Sequence, residues 1–333
     1  MVAGAVRRQE AFRGLRPLNP TRDLKQVVDL LRIAFPEELG RPEAAWLRDV
    51  EILGALKPLI WLANQFNMAL GGFFYGFVWI EEGRVVGNVT ISRLTPQNWL
   101  ISNVAVHPDF RRRGIARDLM DASVDWIAGR NARWVTLEVR RENVPAKSLY
   151  FDMGFLLVEG TTELERHGAE QTSRIAPPDG YRLRPARLDD APQMFELARR
   201  VTPALAQRIE PIRQEEYRVG RLDRVAEGVR QFLGLPATLR WVATDAGGHL
   251  VALLKVQVGG YRQQLHLLIH PDLHGALEEA LVTRGLDALA GRRGVIRAQI
   301  DADHTEAIVA LEAQGFREIR TLDRMALELV SDQ

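Results

Sequence analysis

Residues 103–120, NVAVHPDFRRRGIARDLM, narrow what this chain can fold into more than any other stretch. An apolar strand through Val104, Ala105 and Val106 breaks at Pro108. It then passes a basic turn with Gly114 and the small Ala116, and enters a helix-forming run that begins near Ile115. A helix start leaves about four backbone N–H groups without intrahelical partners, and the macrodipole adds roughly half a positive charge there. A phosphate answers both. Gly114 and Ala116 keep side-chain bulk away, so a pyrophosphate can approach the main chain, and Arg111, Arg112, Arg113 and Arg117 offer charge-assisted donors around it. The same residues are also readable as a strand, a turn and a helix with a solvated arginine face.

Two familiar phosphate loops are absent: no GxxxxGK followed by Ser or Thr occurs, and no GxGxxG follows this strand. What the segment resembles is the acetyl-CoA signature of the GNAT acetyltransferase superfamily, V-x-P-x-x-R/Q-x-x-G-x-G/A, filled here by Val106, Pro108, Arg111, Gly114 and Ala116. Residues 137–155, LEVRRENVPAKSLYFDMGF, read as an alternating strand, an Asn turn, a short helix and a Gly-Phe turn. They resemble the downstream GNAT motif, most closely in the branch that acetylates protein N-termini, such as the ribosomal-protein alanine acetyltransferases. The resemblance implies an α/β (α+β) fold, with a mixed, mostly antiparallel sheet flanked by helices and splayed central parallel strands. It also implies acetyl-CoA as co-substrate, and acyl transfer to a primary amine by direct attack in a ternary complex.

The second half echoes the first. Leu15, Arg16 and Pro17 return as Leu183, Arg184 and Pro185; His107, Pro108 and Asp109 as His270, Pro271 and Asp272; Gly154 and Phe155 as Gly315 and Phe316. The offsets are 168, 163 and 161, as a duplication with small deletions produces. With a Pro-paired polar stretch as linker, the expected organisation is a catalytic domain at 1–169, a linker at 170–180 and a degenerate, non-catalytic domain at 181–333. In the second copy FRRRGIARDLM becomes LHGALEEALV, with Glu278 and Glu279 expected to face and repel a pyrophosphate. Asn143 becomes His304, Tyr150 becomes Leu311 and Glu138 becomes Gln299. The pattern is similar to tandem bacterial GNAT enzymes such as the mycothiol synthases, in which one half is competent.

Residue roles follow from the resemblance. The main-chain N–H of Val104 faces the thioester carbonyl, and Val106 pairs with the pantetheine amides; Ala105 and Ile115 belong to the same cofactor segment. Tyr150 aligns with the tyrosine that protonates the leaving thiolate; without the resemblance it is a packing residue on an amphipathic helix. Asn143 is either a pantetheine partner or a turn-former at a strand end. Glu138 is either the general base or an outward carboxylate paired with Arg140, in which case water serves as the base.

Composition excludes other chemistries. With 44 basic and 43 acidic residues, the net charge is +1, which gives no general affinity for nucleic acid. Forty of the basic residues are Arg and four are Lys, a bias that genome base composition explains. There is no cysteine, so disulfides, Cys-ligated zinc and a thiol-acyl intermediate are excluded, and no metal is expected. The start lacks an apolar signal region, which implies a cytoplasmic chain, monomeric or homodimeric. Residues 58–80 carry no formal charge, but Asn64, Gln65, Asn67 and the Gly71, Gly72 pair interrupt them. A groove-lining helix to about Leu70, a strand at 73–80, a turn at Glu81, Glu82 and Gly83 and a return strand at 84–92 are expected rather than a membrane span. The aromatics of 46–79 suit either a core or a pocket for a small amine. Two acceptors stay open, a peptide N-terminus or a small amine, and so does a non-catalytic CoA-binding sensor or scaffold.

Overall fold

The hairpin expected at Glu82 and Gly83 shows how locally the strands are instructed. Both residues take positive φ, 50° and 77°, and close β2 (Tyr75–Glu81) onto β3 (Arg84–Arg93). Two left-handed central residues give the turn a twist that matches the flanking strands, and glycine adopts it without a Cβ penalty. The computed structural model describes residues 12–36, 75–168, 172–218, 237–259 and 262–329. The helix expected before Leu70 and most of the aromatic run lie outside them. Among the described residues no helix is long and apolar enough to cross a membrane.

The chain forms two compact units. The first comprises residues 1–137, 149–156 and 326–333. Its strands run in the order β1 (Gly14–Pro17), β2, β3, β4 (Asn98–Val106), β5 (Trp134–Arg140); the first four are antiparallel neighbours and β5 is parallel to β4. Helix α1 (Pro20–Ala34) starts at Asn19, whose Oδ1 accepts from the N–H groups of Thr21 and Arg22, with Pro20 in the first turn. It packs Val27, Leu30 and Leu31 on Val78, Ile80, Val85 and Ala105. Helix α2 (Ile115–Ala128) lies so close to β3 that a Cβ on Gly87 would meet Ile115 Cγ2 at 2.9 Å and Leu119 Cδ1 at 3.0 Å. Helix α3 (Val144–Asp152) ends in the Gly154 turn, where Phe155 N donates to Tyr150 O.

The second unit comprises residues 138–148 and 157–325. Its strand order is β12 (Arg317–Glu328), β6 (Leu156–His167), β11 (Val295–Asp301), β10 (Arg262–Ile269), β9 (Leu250–Val258), β8 (Ala237–Thr244), β7 (Arg182–Pro185). Among the described residues, helices α4 (Ala191–Val201), α5 (Ala204–Ile209), α6 (Glu278–Leu289) and α7 (Thr305–Ala313) belong to it. Here too one neighbouring pair, β10 with β11, is parallel.

The duplication reaches into side chains that sequence reading did not single out. Arg16 holds buried Asp23 through two bonds of 2.6 and 2.7 Å, and Arg184 holds buried Asp190 through two of 2.6 and 2.8 Å. In both carboxylates burial pushes the pKa up, but the guanidinium and a backbone N–H outweigh it, and the net shift is downward.

The compact units nevertheless follow different bounds from the sequence halves, because each half gives up part of its last strand. β6, from the first half, pairs antiparallel with β11 from Thr161↔Asp301 to His167↔Val295. The end of β12, from the second half, lies in the first unit, where Leu329 N donates to Arg133 O and Arg133 pairs with Glu328. The linker is also tied down: Arg174 pairs with Asp287 at 2.7 Å and Ile175 N donates to Thr283 Oγ1. Within the second unit Asp323, 1% exposed, takes Arg141 and Lys147 together; burial raises its pKa, and the two cations bring it below the usual range.

Candidate active site

The site is built where two parallel strands stop pairing. β4 and β5 are in register from Asn98↔Trp134 to Ile101↔Leu137 and no further, whereas β4 stays paired with β3 as far as Gly87↔Val106. One edge of 102–106 is therefore open to a strand-like ligand. Asn103 and Val104 together oppose Val89, a β-bulge with Asn103 at φ 52°. The extra residue bends β4 at the point of the split.

Past the strand, His107 Nδ1 accepts from Asp109 N and starts a single 3-10 turn, Pro108–Phe110. Arg112 at φ 63° and Gly114 at φ 82° then wind the loop into α2. Gly114 is the N-cap of α2 and provides no side-chain cap for the first N–H groups of the helix, and a Cβ on Gly114 would meet nothing within 4 Å. An uncapped helix start behind a left-handed glycine, with open space before it, fits the pyrophosphate of acetyl-CoA.

The arginines are exposed; two are steadied by the loop itself and a third by the end of α3. Arg111 Nε donates to Val106 O at 3.2 Å, Arg113 donates to Asp109 O at 2.9 Å and lies over the Phe110 ring, and Arg117 meets Asp152 at 3.4 Å. The Arg117–Asp152 pair is solvent-exposed and contributes at most about 1 kcal/mol, so an arriving phosphate can compete for Arg117.

Tyr150 lies in the same unit, 6% exposed, with its ring 6.0 Å from that of Phe155. Burial pushes its phenol up to about 12. A free thiol has a pKa near ~8.5, so complete proton transfer from this phenol would be uphill, and its suited role is hydrogen-bond donation to sulfur. Glu138 and Asn143 belong to the other compact unit. Glu138 is exposed on β5, one residue past Leu137, the last position paired with β4. Arg140, its expected partner, has an ion pair with Glu142 at 3.2 Å. Asn143 Oδ1 accepts from Ala146 N at 3.3 Å, so the turn-forming reading of that residue is realised.

The counterpart loop in the second unit repeats the geometry and fills it. His270 Nδ1 accepts from Asp272 N, Gly275 takes φ 87°, and β10 leaves β11 after Leu265↔Ala298. Glu278 does not face outward to repel a phosphate, as expected from sequence. It is 3% exposed and accepts from Gly275 N at 2.9 Å and Leu277 N at 3.0 Å, with His304 Nε2 at 2.8 Å. Burial raises the Glu278 pKa, but His304 and the backbone donors hold it below the usual range. Glu279 is the exposed one of the pair. His274, His304 and Glu306 bring ligand-type atoms within 4.8 Å of one another, but the imidazoles stack at 3.6 Å and 8°, so their in-plane lone pairs run side by side rather than converging on a metal.

An open strand edge, a bulge and a helix start with no side-chain cap thus lie together in one unit. The Acetyltransferase (GNAT) family model matches residues 30–155, a span that contains every candidate residue. A mycothiol acetyltransferase of Clavibacter sepedonicus is 30% identical over 223 residues, 65% of this chain and 69% of that protein. The chain belongs to the GNAT acetyltransferase family. A ribosomal-protein alanine N-acetyltransferase of Escherichia coli is 28% identical over 95 residues, 28% of this chain; the match spans 64% of the length of that relative. A GCN5-related N-acetyltransferase from Sphaerobacter thermophilus superposes with a TM-score of 0.58 at 18% identity, covering 94% of this chain and 95% of that one, a likeness of fold.

Proposed function

We propose that the protein transfers an acetyl group from acetyl-CoA to a primary amine, with residues 104–117 and Tyr150 of the first half carrying the cofactor chemistry and the second half non-catalytic. The observation that carries this reading is the coincidence of the uncapped α2 N-terminus behind Gly114 with the strand edge opened after Ile101↔Leu137. Bound acetyl-CoA supplies an already activated thioester, so the chain needs to position reactants and stabilise charge rather than form a covalent intermediate.

Each residue then has a task. The N–H groups of Ile115, Ala116 and Arg117, with the side chains of Arg111, Arg112, Arg113 and Arg117, hold the pyrophosphate. Val106 pairs with the pantetheine arm along the open edge, and the Val104 N–H receives the charge that develops on the thioester oxygen. Tyr150 donates to the departing sulfur. The proton lost by the amine goes to Glu138 or, if Glu138 is not the base, to water. The relatives support two acceptor classes: one relative is named for an alanine of a ribosomal protein, the other for mycothiol formation, which keeps both peptide N-termini and small amines open. Incubation of the full chain with acetyl-CoA and a mixed amine and peptide library, reading free CoA, tests the proposal. Release of CoA that depends on one acceptor class identifies the substrate; binding of acetyl-CoA without release by any member favours a CoA sensor.

A further inference from the structure

β3 carries one residue that packing alone does not explain. In RVVGNVTISR, Asn88 sits among apolar neighbours with 0% exposure. Its Oδ1 is buried and accepts no hydrogen bond from any described residue. An unmet buried acceptor is destabilising, so an apolar residue would serve the core better. The other end of the carboxamide is engaged. Asn88 Nδ2 donates to Asn103 O at 3.0 Å, at the bulge where β4 parts from β5.

The peptide that Asn88 grips is the Asn103–Val104 unit. The described chain has no cis peptide, so the carbonyl and the N–H of this unit point in opposite directions. With the carbonyl drawn to Asn88 on the β3 side, the Val104 N–H is turned to the side that β5 has vacated. Asn103 itself sits at φ 52°, in the left-handed region that asparagine adopts more readily than most non-glycine residues. Its Nδ2 reaches Thr90 Oγ1 at 3.4 Å, a weaker tie than the bond from Asn88.

We propose that Asn88 is a positioning residue for acyl transfer, fixing the Asn103–Val104 peptide so that the Val104 N–H is aimed at the thioester oxygen of bound acetyl-CoA. The inference rests on the acetyl-CoA assignment above and adds to it the group that orients the oxyanion donor. Accepting a hydrogen bond at the carbonyl also polarises the N–H of the same peptide, so the donor is strengthened as well as aimed.

The test reads the bond itself. Acetyl-CoA isotopically labelled at the thioester carbonyl is bound to the full chain, and the carbonyl stretch is followed by infrared difference spectroscopy. In the unaltered protein the stretch moves to lower frequency than in water. In Asn88→Ala and Asn88→Asp, which remove the donor, much of this shift is lost while affinity for CoA, which lacks the thioester carbonyl, stays nearly unchanged. Removing an oxyanion donor outright lowers kcat by ~10²–10³-fold; mis-aiming one should cost at least about tenfold in kcat with little change in acceptor KM. Asn103→Gly, which relieves the left-handed conformation and leaves the Asn88 bond intact, keeps the shift. A variant of Asn88 that binds acetyl-CoA with the full shift, or loss of the shift in Asn103→Gly, overturns the positioning role. Failure of the unaltered protein to bind acetyl-CoA overturns the functional proposal, and this inference with it.

Discussion

The two strand-turn-helix loops of this chain were built to one plan and now end differently. In the first, Gly114 leads into α2 with no side-chain cap, and a Cβ on Gly114 would meet nothing within 4 Å. In the second, Gly275 takes the left-handed φ that Arg112 takes in the first, the N-cap Leu277 is not left-handed as Gly114 is, and the Glu278 carboxylate folds back onto Gly275 N and Leu277 N and is held by His304. One loop keeps its donors for a ligand; the other satisfies them from within. A binding site can thus be retired without loss of the fold that made it, provided an internal anion takes over the unpaired donors.

Breaking the comparison at its catalytic end should have the largest effect. Tyr150→Leu installs the residue found at the matching position, Leu311, and should lower kcat by ~10²–10⁴-fold with acetyl-CoA affinity almost intact, because a group acting on the leaving sulfur contributes in the transition state. Steady-state kinetics alongside calorimetry would show it; turnover within twofold, with chemistry rate-limiting, would make Tyr150 a packing residue. Next in size is Gly114→Glu, which combines a strained left-handed side chain with a carboxylate in the phosphate position. Acetyl-CoA should bind one per chain in the unaltered protein and at least ~10²-fold more weakly in this variant; two equivalent sites by calorimetry would contradict the comparison.

The second loop should respond in stability rather than in activity. Glu278→Ala leaves two backbone donors and a buried imidazole without their acceptor, and unfolding by denaturant should be easier by about 3 kcal/mol, with acetyl-CoA binding unchanged. The pH dependence has a definite sign. The Glu278 pKa is lowered on folding, so its contribution is present above the unfolded value of ~4.3 and fades as pH falls through the folded one; the Ala variant should show a flatter acid limb. The smallest effect lies at the alkaline end. Tyr150 is raised from 10.0 to about 12, so its contribution is complete below the unfolded value and is lost as pH climbs between the two, roughly 2–3 kcal/mol in all. Tyr150→Phe should be free of that loss in pH-dependent melting, and an activity break near pH 9–10 that disappears in this variant would contradict the raised pKa.

Features written in adjacent residues were legible from the sequence. The αL glycine at 114, the helix starting at Ile115, the hairpin at Glu82 and Gly83 and the paired Gly-Phe turns depend on neighbours a few positions apart. Features that depend on distant pairing were not. Glu278 read as a repelling charge because nothing in LHGALEEALV shows which of two consecutive glutamates turns inward; His304, 26 residues on, decides it. Asn88 was passed over, although a lone amide within RVVGNVTISR is a signal that a buried polar group has a task. The linker at 170–180 read as a clean boundary between the halves, yet β6, from the first half, pairs with β11, from the second.

That strand arrangement sets a clock on synthesis. Arg133 and Glu328, whose neighbouring strand ends lie together in the unit that holds the acetyl-CoA loop, are 195 residues apart in the chain. At 5–20 residues per second a ribosome delivers the second about 10–40 s after the first. Throughout that interval β5 waits with an unpaired edge, the kind of surface that recruits chaperones or stray strands. The loop that reads most plainly in the sequence therefore reaches its finished setting only after Glu328 has been made, and a product stalled or clipped before that residue is left without the strand end that closes this unit.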